Sequence, residues 1–172
     1  SADRLHRQRP KLPVIPLPLP PDSLMPFRLD KRQARQKLGI PSDYAVVLWL
    51  GRLSLLTKID PWPTYVVMER VARQLGRQLV FIECGPDDTP SPQAALERLR
   101  RLCPSVNFLR LGGAEPVSEE VKRQALAAAD VAVSLVDNAQ ETFGLAVSEA
   151  MAAGLPLVVS DWSGYRDLVR NG

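Results

Sequence analysis

Histidine is almost absent from this chain, cysteine is scarce, and long apolar runs do not occur. The one histidine, His6, stands in a basic segment, and Cys84 and Cys103 are far apart. Zinc sites and nucleophile–base pairs need such residues in clusters, so neither is expected. The chain also lacks the run of about 18 apolar residues that a membrane-spanning helix requires. These absences predict a cytoplasmic protein without a signal peptide, whose two thiols are reduced and lie in its core.

The common fingerprints of phosphate-binding loops are missing as well. The chain has neither the G-x-G-x-x-G turn of dinucleotide enzymes nor the G-x-x-x-x-G-K-S/T loop of NTPases. It also has no Asp-x-Asp pair for a divalent metal, because Asp87 and Asp88 are adjacent. These two aspartates follow Gly85-Pro86, and we interpret them as a solvated loop. The pattern disfavours a nicotinamide dehydrogenase and predicts no metal site.

Proline and positive charge are concentrated at the start of the chain. Residues 1–40 carry nine Lys and Arg against three Asp and Glu, whereas residues 41–172 carry thirteen against sixteen. Seven prolines among the first 26 residues exclude a helix and a regular strand there. We therefore predict that residues 1–29 are an extended interdomain connector and that residues 30–172 form one domain. The basic residues lack interleaved aromatics, which argues against nucleic acid, while peripheral contact with an anionic membrane stays open.

Short apolar runs alternate with stretches of helical periodicity from residue 44 onward. The predicted strands are 45–50, 79–84, 106–111, 131–136 and 157–160. The predicted helices are 61–75, 92–102, 117–128, 143–153 and 164–170, and Asp60, before Pro61, is the expected cap of the first of them. A short helix precedes them, which Asp30 caps and Gly39 ends. Apolar strands in five β-α units predict an α/β fold, a Rossmann-like doubly wound parallel sheet with helices on both faces.

A ligand of such a sheet binds beyond the carboxyl ends of the strands, where the strand order reverses. If the order is third, second, first, fourth, fifth, the crevice lies between the first and fourth strands and is lined by loops 51–58 and 137–143. Arg52 and Lys58 lie in the first loop, and a helix is predicted to start near Phe143. Cations that face the free N–H groups of a helix start favour an anion. The sequence therefore predicts a diphosphate site in which cations replace a metal.

Two strings near the end of the chain are specific in combination. Residues 141–145 read ETFGL and residues 148–156 read SEAMAAGLP, so Glu141 and Glu149 form an E-x7-E pattern. Further matches upstream and downstream are Gly51-Arg52, Lys58, Gly85-Pro86, FLRLG over 108–112 and VVS over 158–160. Together these residues resemble the retaining glycosyltransferases of the GT-B type, in group 1 or family four. The resemblance covers nearly the whole chain and points to the C-terminal, donor-binding domain.

The resemblance implies an enzyme that transfers a hexosyl group from a UDP-, GDP- or ADP-sugar to a glycan, lipid or small-molecule acceptor. The nucleotide-diphosphate sugar is a substrate, so no cofactor is expected, and the configuration at the anomeric carbon would be retained without a metal. An N-terminal acceptor domain of the same protein, absent here, would complete the catalytic site. The chain alone, which ends before the family's last strand and closing helices, is expected to bind the donor weakly and to transfer nothing.

The resemblance also implies roles for individual residues. Arg52 and Lys58 would hold the diphosphate and neutralise the charge of the leaving group, and Glu141 would contact hydroxyls of the donor sugar. Glu149 would bind the ribose hydroxyls, and loop 111–114 would recognise the base. The backbone amides of 143–145 would meet the sugar or phosphate. The donor-binding positions other than Glu149 are Gly51, Gly112, Thr142, Phe143, Gly144 and Leu145.

The sequence departs from the family pattern at two places. Ile59 follows Lys58 where the family often has glycine, and residues 161–164 replace a common glycine-rich turn. Two alternatives keep the fold and change the function: a sugar-nucleotide-binding module that does not catalyse, and a sugar-nucleotide epimerase. Product analysis of the whole protein separates an epimerase from a transferase.

Overall fold

A parallel β-sheet organises the described part of the chain. The computed structural model describes residues 29–54, 60–87, 93–136, 144–162 and 164–169. Its strands are β1 Ala45–Leu50, β2 Leu79–Cys84, β3 Val106–Leu111, β4 Val131–Ser134 and β5 Leu157–Val159. Its helices are α1 Lys31–Lys37, α2 Pro61–Gln74, α3 Gln93–Arg101, α4 Glu119–Ala128, α5 Leu145–Ala152 and α6 Tyr165–Leu168. None of these helices is long and apolar enough to cross a membrane.

The strand order is β3-β2-β1-β4-β5, and all four neighbouring pairs are parallel. This order confirms the predicted one. Successive strands are added on one side of β1 up to β3, and from β4 onward they are added on its other side. The carboxyl ends of β1 and β4 therefore border the crevice where doubly wound sheets bind ligands.

Both faces of the sheet are covered, as the apolar strands predict. On one face Val46 and Leu48 of β1 belong to a buried cluster with Ala125 of α4. On the other face Val47 and Trp49 of the same strand pack in a cluster with Tyr65 of α2. A strand buried on both sides needs apolar residues at every position, which explains why β1 does not alternate.

The element boundaries differ from the predicted ones by a few residues. β4 ends at Ser134 rather than at 136, because Val136 packs with Val147 and Tyr165 in a separate buried cluster and is not paired in the sheet. The helix predicted from 117 starts at Glu119, because Ser118 is its N-cap and accepts a hydrogen bond from the Val121 N–H. The predicted start of the third helix at Pro92 lies outside the described residues.

Helix α1 is fastened to the amino-terminal edge of the sheet by Arg35. This buried guanidinium donates to the carbonyls of Ala128, Ser42 and Tyr44 at 2.8–3.1 Å and to Asp130 at 2.8 Å. The Asp130 carboxylate also accepts from Lys31 and from the Val46 N–H. Gly39 follows α1 with φ 69°, the left-handed stop that the sequence predicts. The start of the described domain is thus held by charged hydrogen bonds as well as by apolar packing.

A carboxylate is buried in the middle of the sheet. Glu83 of β2 is fully buried and is held by the Tyr65 hydroxyl and by Arg100, whose guanidinium lies 2.5 Å away. Burial and the negative charge of Glu83 both raise the pKa of Tyr65, so this phenol stays protonated. The two cysteines are free and buried, as predicted, and burial raises the pKa of the Cys84 thiol to about 11.

Candidate functional site

A rim of glycines lines the carboxyl edge of the sheet. Gly51, Gly85 and Gly112 directly follow β1, β2 and β3, respectively, and have positive φ angles of 147°, 151° and 109°. The Gly51 N–H donates to the Cys84 carbonyl at 2.8 Å, and the Gly85 N–H donates to the Leu111 carbonyl at 2.9 Å. The backbone therefore remains hydrogen-bonded past the ends of the strands.

Side chains do not fit at two positions of this rim. A Cβ atom on Gly85 would lie 2.1 Å from the Gly51 carbonyl oxygen, and one on Gly112 would lie 2.3 Å from the Gly85 carbonyl oxygen. Glycine is required where backbones approach this closely. The backbones that follow β1, β2 and β3 are therefore packed directly against one another at this edge.

Arg110 of β3 binds the backbone of this rim. Its guanidinium donates to the carbonyls of Glu83 and Gly85 at 2.8 and 2.5 Å and pairs with the Asp87 carboxylate at 2.7 Å. The Asp87 side chain is only 7% exposed, and its backbone N–H donates to Gly113 at 2.7 Å. The interpretation of Asp87 as part of a solvated loop is therefore wrong, because its carboxylate neutralises a charge that lies against the rim. Asp88 lies outside the described residues.

Helix α5 begins at the crevice with a residue that has no side chain to cap it. This N-cap residue is Gly144, in a left-handed conformation with φ 81°, and it makes no side-chain cap hydrogen bond. The N–H groups of a helix start carry partial positive charge and attract anions when nothing else caps them. A Cβ atom on Gly144 would lie 2.4 Å from the Tyr165 ring, whose hydroxyl is 2.8 Å from Ser134 Oγ. Close packing against Tyr165 thus fixes where α5 starts.

Helix α2, on the other side of β1, begins in the opposite way. The carboxylate of Asp60 accepts from the Trp62 N–H at 3.0 Å, which confirms the predicted cap. Pro61 and Pro63 have no N–H to offer. The start of α2 is therefore closed to an anion, whereas among the described residues no N-cap side chain closes the start of α5.

Glu149 lies on the second turn of α5 and is paired across to α4. Its Oε1 atom accepts from Lys122 Nζ at 2.7 Å, and Lys122 also pairs with Glu119 at 2.7 Å. Burial lowers the pKa of Lys122, but hydrogen bonds and charges from Glu119 and Glu149 outweigh burial and raise it. The charges of Arg110, Lys122 and Glu149 all act on the pKa of Cys84, which places them around the carboxyl end of β2.

Comparison with known proteins identifies the family. The family model for glycosyl transferases group 1 matches residues 30–172. The chain belongs to this family. A D-inositol 3-phosphate glycosyltransferase of Geodermatophilus obscurus is 34% identical over 152 residues, and D-inositol 3-phosphate glycosyltransferase 2 of Catenulispora acidiphila is 33% identical over 147 residues. Each alignment covers 83% of this chain but only 32% and 33% of those proteins, so the chain spans about a third of their length.

Solved glycosyltransferase structures share the fold. WaaG, a glycosyltransferase involved in lipopolysaccharide biosynthesis, superimposes with a TM-score of 0.56 at 21% identity, over 87% of this chain and 38% of WaaG. The C-terminal domain of a group 1 family protein, LpcC, from Francisella tularensis gives a TM-score of 0.57 at 16% identity, over 87% of this chain and 74% of that domain. The likeness shows that the described domain has the Rossmann-like fold of GT-B glycosyltransferases, as the sequence predicts.

The structure locates six of the ten predicted site residues. Gly51 and Gly112 lie in the rim, Arg52 is exposed directly after Gly51, and Gly144, Leu145 and Glu149 lie at the start and in the second turn of α5. Lys58, Glu141, Thr142 and Phe143 lie outside the described residues. The helix predicted from Phe143 is described from Leu145, with Gly144 as its cap. Among the described residues, no group of three His, Cys, Asp or Glu could hold a metal ion.

Sequence reasoning missed two residues that shape this site. Arg110 carries a charge in an otherwise mostly apolar strand, and that contrast is the signal by which it could have been found. Lys122 gave no such signal, because a lysine three positions after Glu119 is an ordinary surface pair on a helix. Its contact with Glu149 depends on how α4 and α5 pack, which the sequence does not reveal.

Proposed function

We propose that this chain binds a nucleotide-diphosphate sugar in the crevice between β1 and β4. It would serve as the donor domain of a hexosyltransferase that retains anomeric configuration and needs no metal. The family establishes a glycosyltransferase, and the donor site, stereochemistry and residue roles are our proposal. The observation that carries it is the start of α5 beside the crevice, where the N-cap residue Gly144 has no side chain to cap the helix.

The contrast between the two helix starts supports a phosphate position at α5. The N-cap residue of α5, Gly144, has no side chain to cap the helix, whereas α2 is closed by Asp60 and two prolines. In open α/β sheets anions bind at such helix starts near the switch in strand order. The proposal therefore puts the diphosphate at Gly144 and Leu145, with Arg52 and Lys58 supplying positive charge from the β1 side.

The position of Glu149 fits a ribose contact. Glu149 is five residues beyond Gly144, which corresponds to about 7 Å along the helix axis. A carboxylate at that distance from the phosphate-binding N–H groups can accept hydrogen bonds from the hydroxyls of the adjacent ribose. The side chain is 17% exposed, so it is oriented by its neighbours and still accessible. Loop 111–114, beside the rim at Gly112, would then lie near the base.

The proposed chemistry follows from charge. Departure of the nucleoside diphosphate builds negative charge on the leaving oxygen, and fixed cations and N–H groups stabilise that charge in place of a metal. Arg52, Lys58 and the amides of 143–145 have this role in the proposal, and Glu141 contacts the donor sugar.

A nucleotide panel tests the donor site. Thermal unfolding of the 172-residue chain is measured with UDP, GDP, ADP and NAD, and again for Glu149→Ala. We expect one nucleoside diphosphate to raise the melting temperature and NAD to leave it unchanged. Loss of charged hydrogen bonds to the ribose should weaken binding of that nucleotide by about 10- to 100-fold in Glu149→Ala. Glu97→Ala on α3, an exposed glutamate away from the crevice, is the matched control.

The outcome that contradicts the proposal is equally definite. If no nucleoside diphosphate shifts the melting temperature, or if Glu149→Ala responds like the wild type, the crevice is not the donor site described above. An assay for released hexose or an epimerised sugar nucleotide in the whole protein identifies the epimerase alternative.

The first acceptor to assay in the whole protein is D-inositol 3-phosphate. Relatives that are 33% and 34% identical to this chain carry that compound in their names. Transfer to it would extend the proposed function from donor to acceptor.

A further inference from the structure

Lys122 occupies a position between two acidic side chains of different helices. Its Nζ atom lies 2.7 Å from Glu119 on its own helix α4 and 2.7 Å from Glu149 on α5. The exposed fraction is 19% for Lys122 and 17% for Glu149, compared with 68% for Glu119. The contact between helices is thus the protected one, while the contact within α4 faces solvent.

The Lys122 contact restricts the carboxylate that is proposed to bind ribose. Glu149 has three side-chain torsions, and a hydrogen bond to a lysine of a neighbouring helix selects one arrangement of them. The bond engages Oε1, and the hydrogen bonds of the described residues leave Oε2 available to accept from a ligand. Lys122 also neutralises Glu149, so a diphosphate brought to the start of α5 does not meet an unpaired negative charge one turn away.

We propose that Lys122 is the positioning residue for Glu149: it orients the carboxylate so that Oε2 faces the ribose hydroxyls of the bound nucleotide. This inference rests on the proposed function. It assigns Lys122 no contact with the donor, since it acts through Glu149. It follows that Lys122 increases the affinity for a nucleotide only when the nucleotide carries its ribose hydroxyls.

Comparison of a nucleotide with its deoxy form tests this directly. Calorimetric titration measures binding of the nucleoside diphosphate that gives the largest thermal shift, and of its 2′,3′-dideoxy counterpart, to the 172-residue chain. In the wild type, removal of the hydroxyls should weaken binding by about 10- to 100-fold. In Lys122→Met, which keeps the length of the side chain, this preference for the hydroxyls should fall to about threefold or less.

Matched variants separate positioning from a general effect of charge. Lys37→Met also removes a lysine that bridges to α4, through an exposed pair with Glu120 at 3.5 Å, and should keep the full preference. Glu119→Gln should keep it too, because the contact between Lys122 and Glu149 remains. Lys122→Arg retains the positive charge and should restore most of the preference, and it serves as the second test if Lys122→Met unfolds.

The results discriminate between failure of the inference and failure of the proposed function. If the wild type binds no nucleotide, the donor site itself is wrong and the inference falls with it. If Glu149→Ala loses the preference and Lys122→Met keeps it, the donor site stands and the inference is wrong. Equal weakening of both nucleotides in Lys122→Met, with the preference unchanged, also overturns the inference, because it would mean that Lys122 acts on the diphosphate.

Discussion

Among the glycines at the carboxyl edge of the sheet, Gly85 has the least space for a side chain. Its position combines a φ of 151° with a virtual Cβ only 2.1 Å from the Gly51 carbonyl oxygen. Both features come from backbone, which cannot rotate away as a side chain can. The residue therefore fixes the spacing of the loops after β1 and β2.

Substitution of Gly85 by alanine should be severely destabilising. A strained backbone costs about 1–3 kcal/mol and overpacking adds about 1–3 kcal/mol, so we expect Gly85→Ala to lower the free energy of unfolding by about 2–6 kcal/mol. Gly76→Ala is the control, because Gly76 has φ 69° but no atom within 4 Å of its virtual Cβ. It should cost about 1–2 kcal/mol. Urea unfolding of both variants measures the difference, and equal losses would contradict the role of close approach.

Residue-level predictions from the sequence succeeded where a local rule applies. Asp30 and Asp60 were predicted as helix caps because an acidic side chain precedes a helical stretch, and both accept from N–H groups of the first turn. Asp87 was misinterpreted because its partner, Arg110, is 23 residues away in the sequence. A contact between distant residues depends on strand pairing and leaves no trace in the neighbouring sequence.

Helix α1 is stabilised at the element scale by the carboxylate of Asp130. Burial raises the pKa of Asp130, but the Val46 N–H, Lys31 and Arg35 outweigh burial and lower it. A carboxyl group whose pKa is lower in the folded protein stabilises fully above its unfolded pKa of about 3.9. That stabilisation is lost as the pH falls through the lower folded value.

Asp130→Asn should therefore change the response of the protein to acid. At neutral pH we expect the free energy of unfolding to fall by about 1–3 kcal/mol, because charged hydrogen bonds are lost. The difference from the wild type should shrink as the pH is lowered through the folded pKa of Asp130. Asp43→Asn, which makes the same change of charge at an exposed turn, is the control. Urea unfolding from pH 7 downward checks this, and a gap that does not narrow in acid would contradict it.

The bounds of elements were predictable only where the sequence carries a stop signal. β1, β2 and β3 begin and end at the predicted residues, since a glycine follows each of them. The prediction for β4 is too long because Leu135 and Val136 are apolar: Leu135 packs against the cluster that contains Val47 and Tyr65, Val136 packs with Val147 and Tyr165, and nothing local distinguishes such packing from pairing in the sheet. The start of α5 shows the same limit, because apolar residues lie on both sides of Gly144.

The fold of the whole domain could be predicted from the alternation of strands and helices, and the crevice followed from the strand order. What the sequence did not reveal is how α4 and α5 pack, and with it the Lys122–Glu149 contact. Arg110 lies in the matched string FLRLG but was assigned no role there, and Lys122 lies outside the matched strings. Supporting contacts of this kind depend on three-dimensional packing.

The proposed mechanism makes a prediction for the whole protein. Transfer from the preferred sugar nucleotide should give a product with the same anomeric configuration as the donor, and EDTA should leave the rate unchanged, because Arg52, Lys58 and N–H groups replace a metal. Proton NMR of the product at early times reads the configuration. An inverted product, or loss of activity that Mg²⁺ restores, would contradict the mechanism.

The unequal helix starts at the crevice give it a polarity. One side presents Gly144, which has no side chain to cap α5, and the other presents the carboxylate of Asp60 and two prolines. An anion that entered the proposed site would therefore meet one favourable helix start rather than two, and the diphosphate is expected nearer to β4 than to the start of α2.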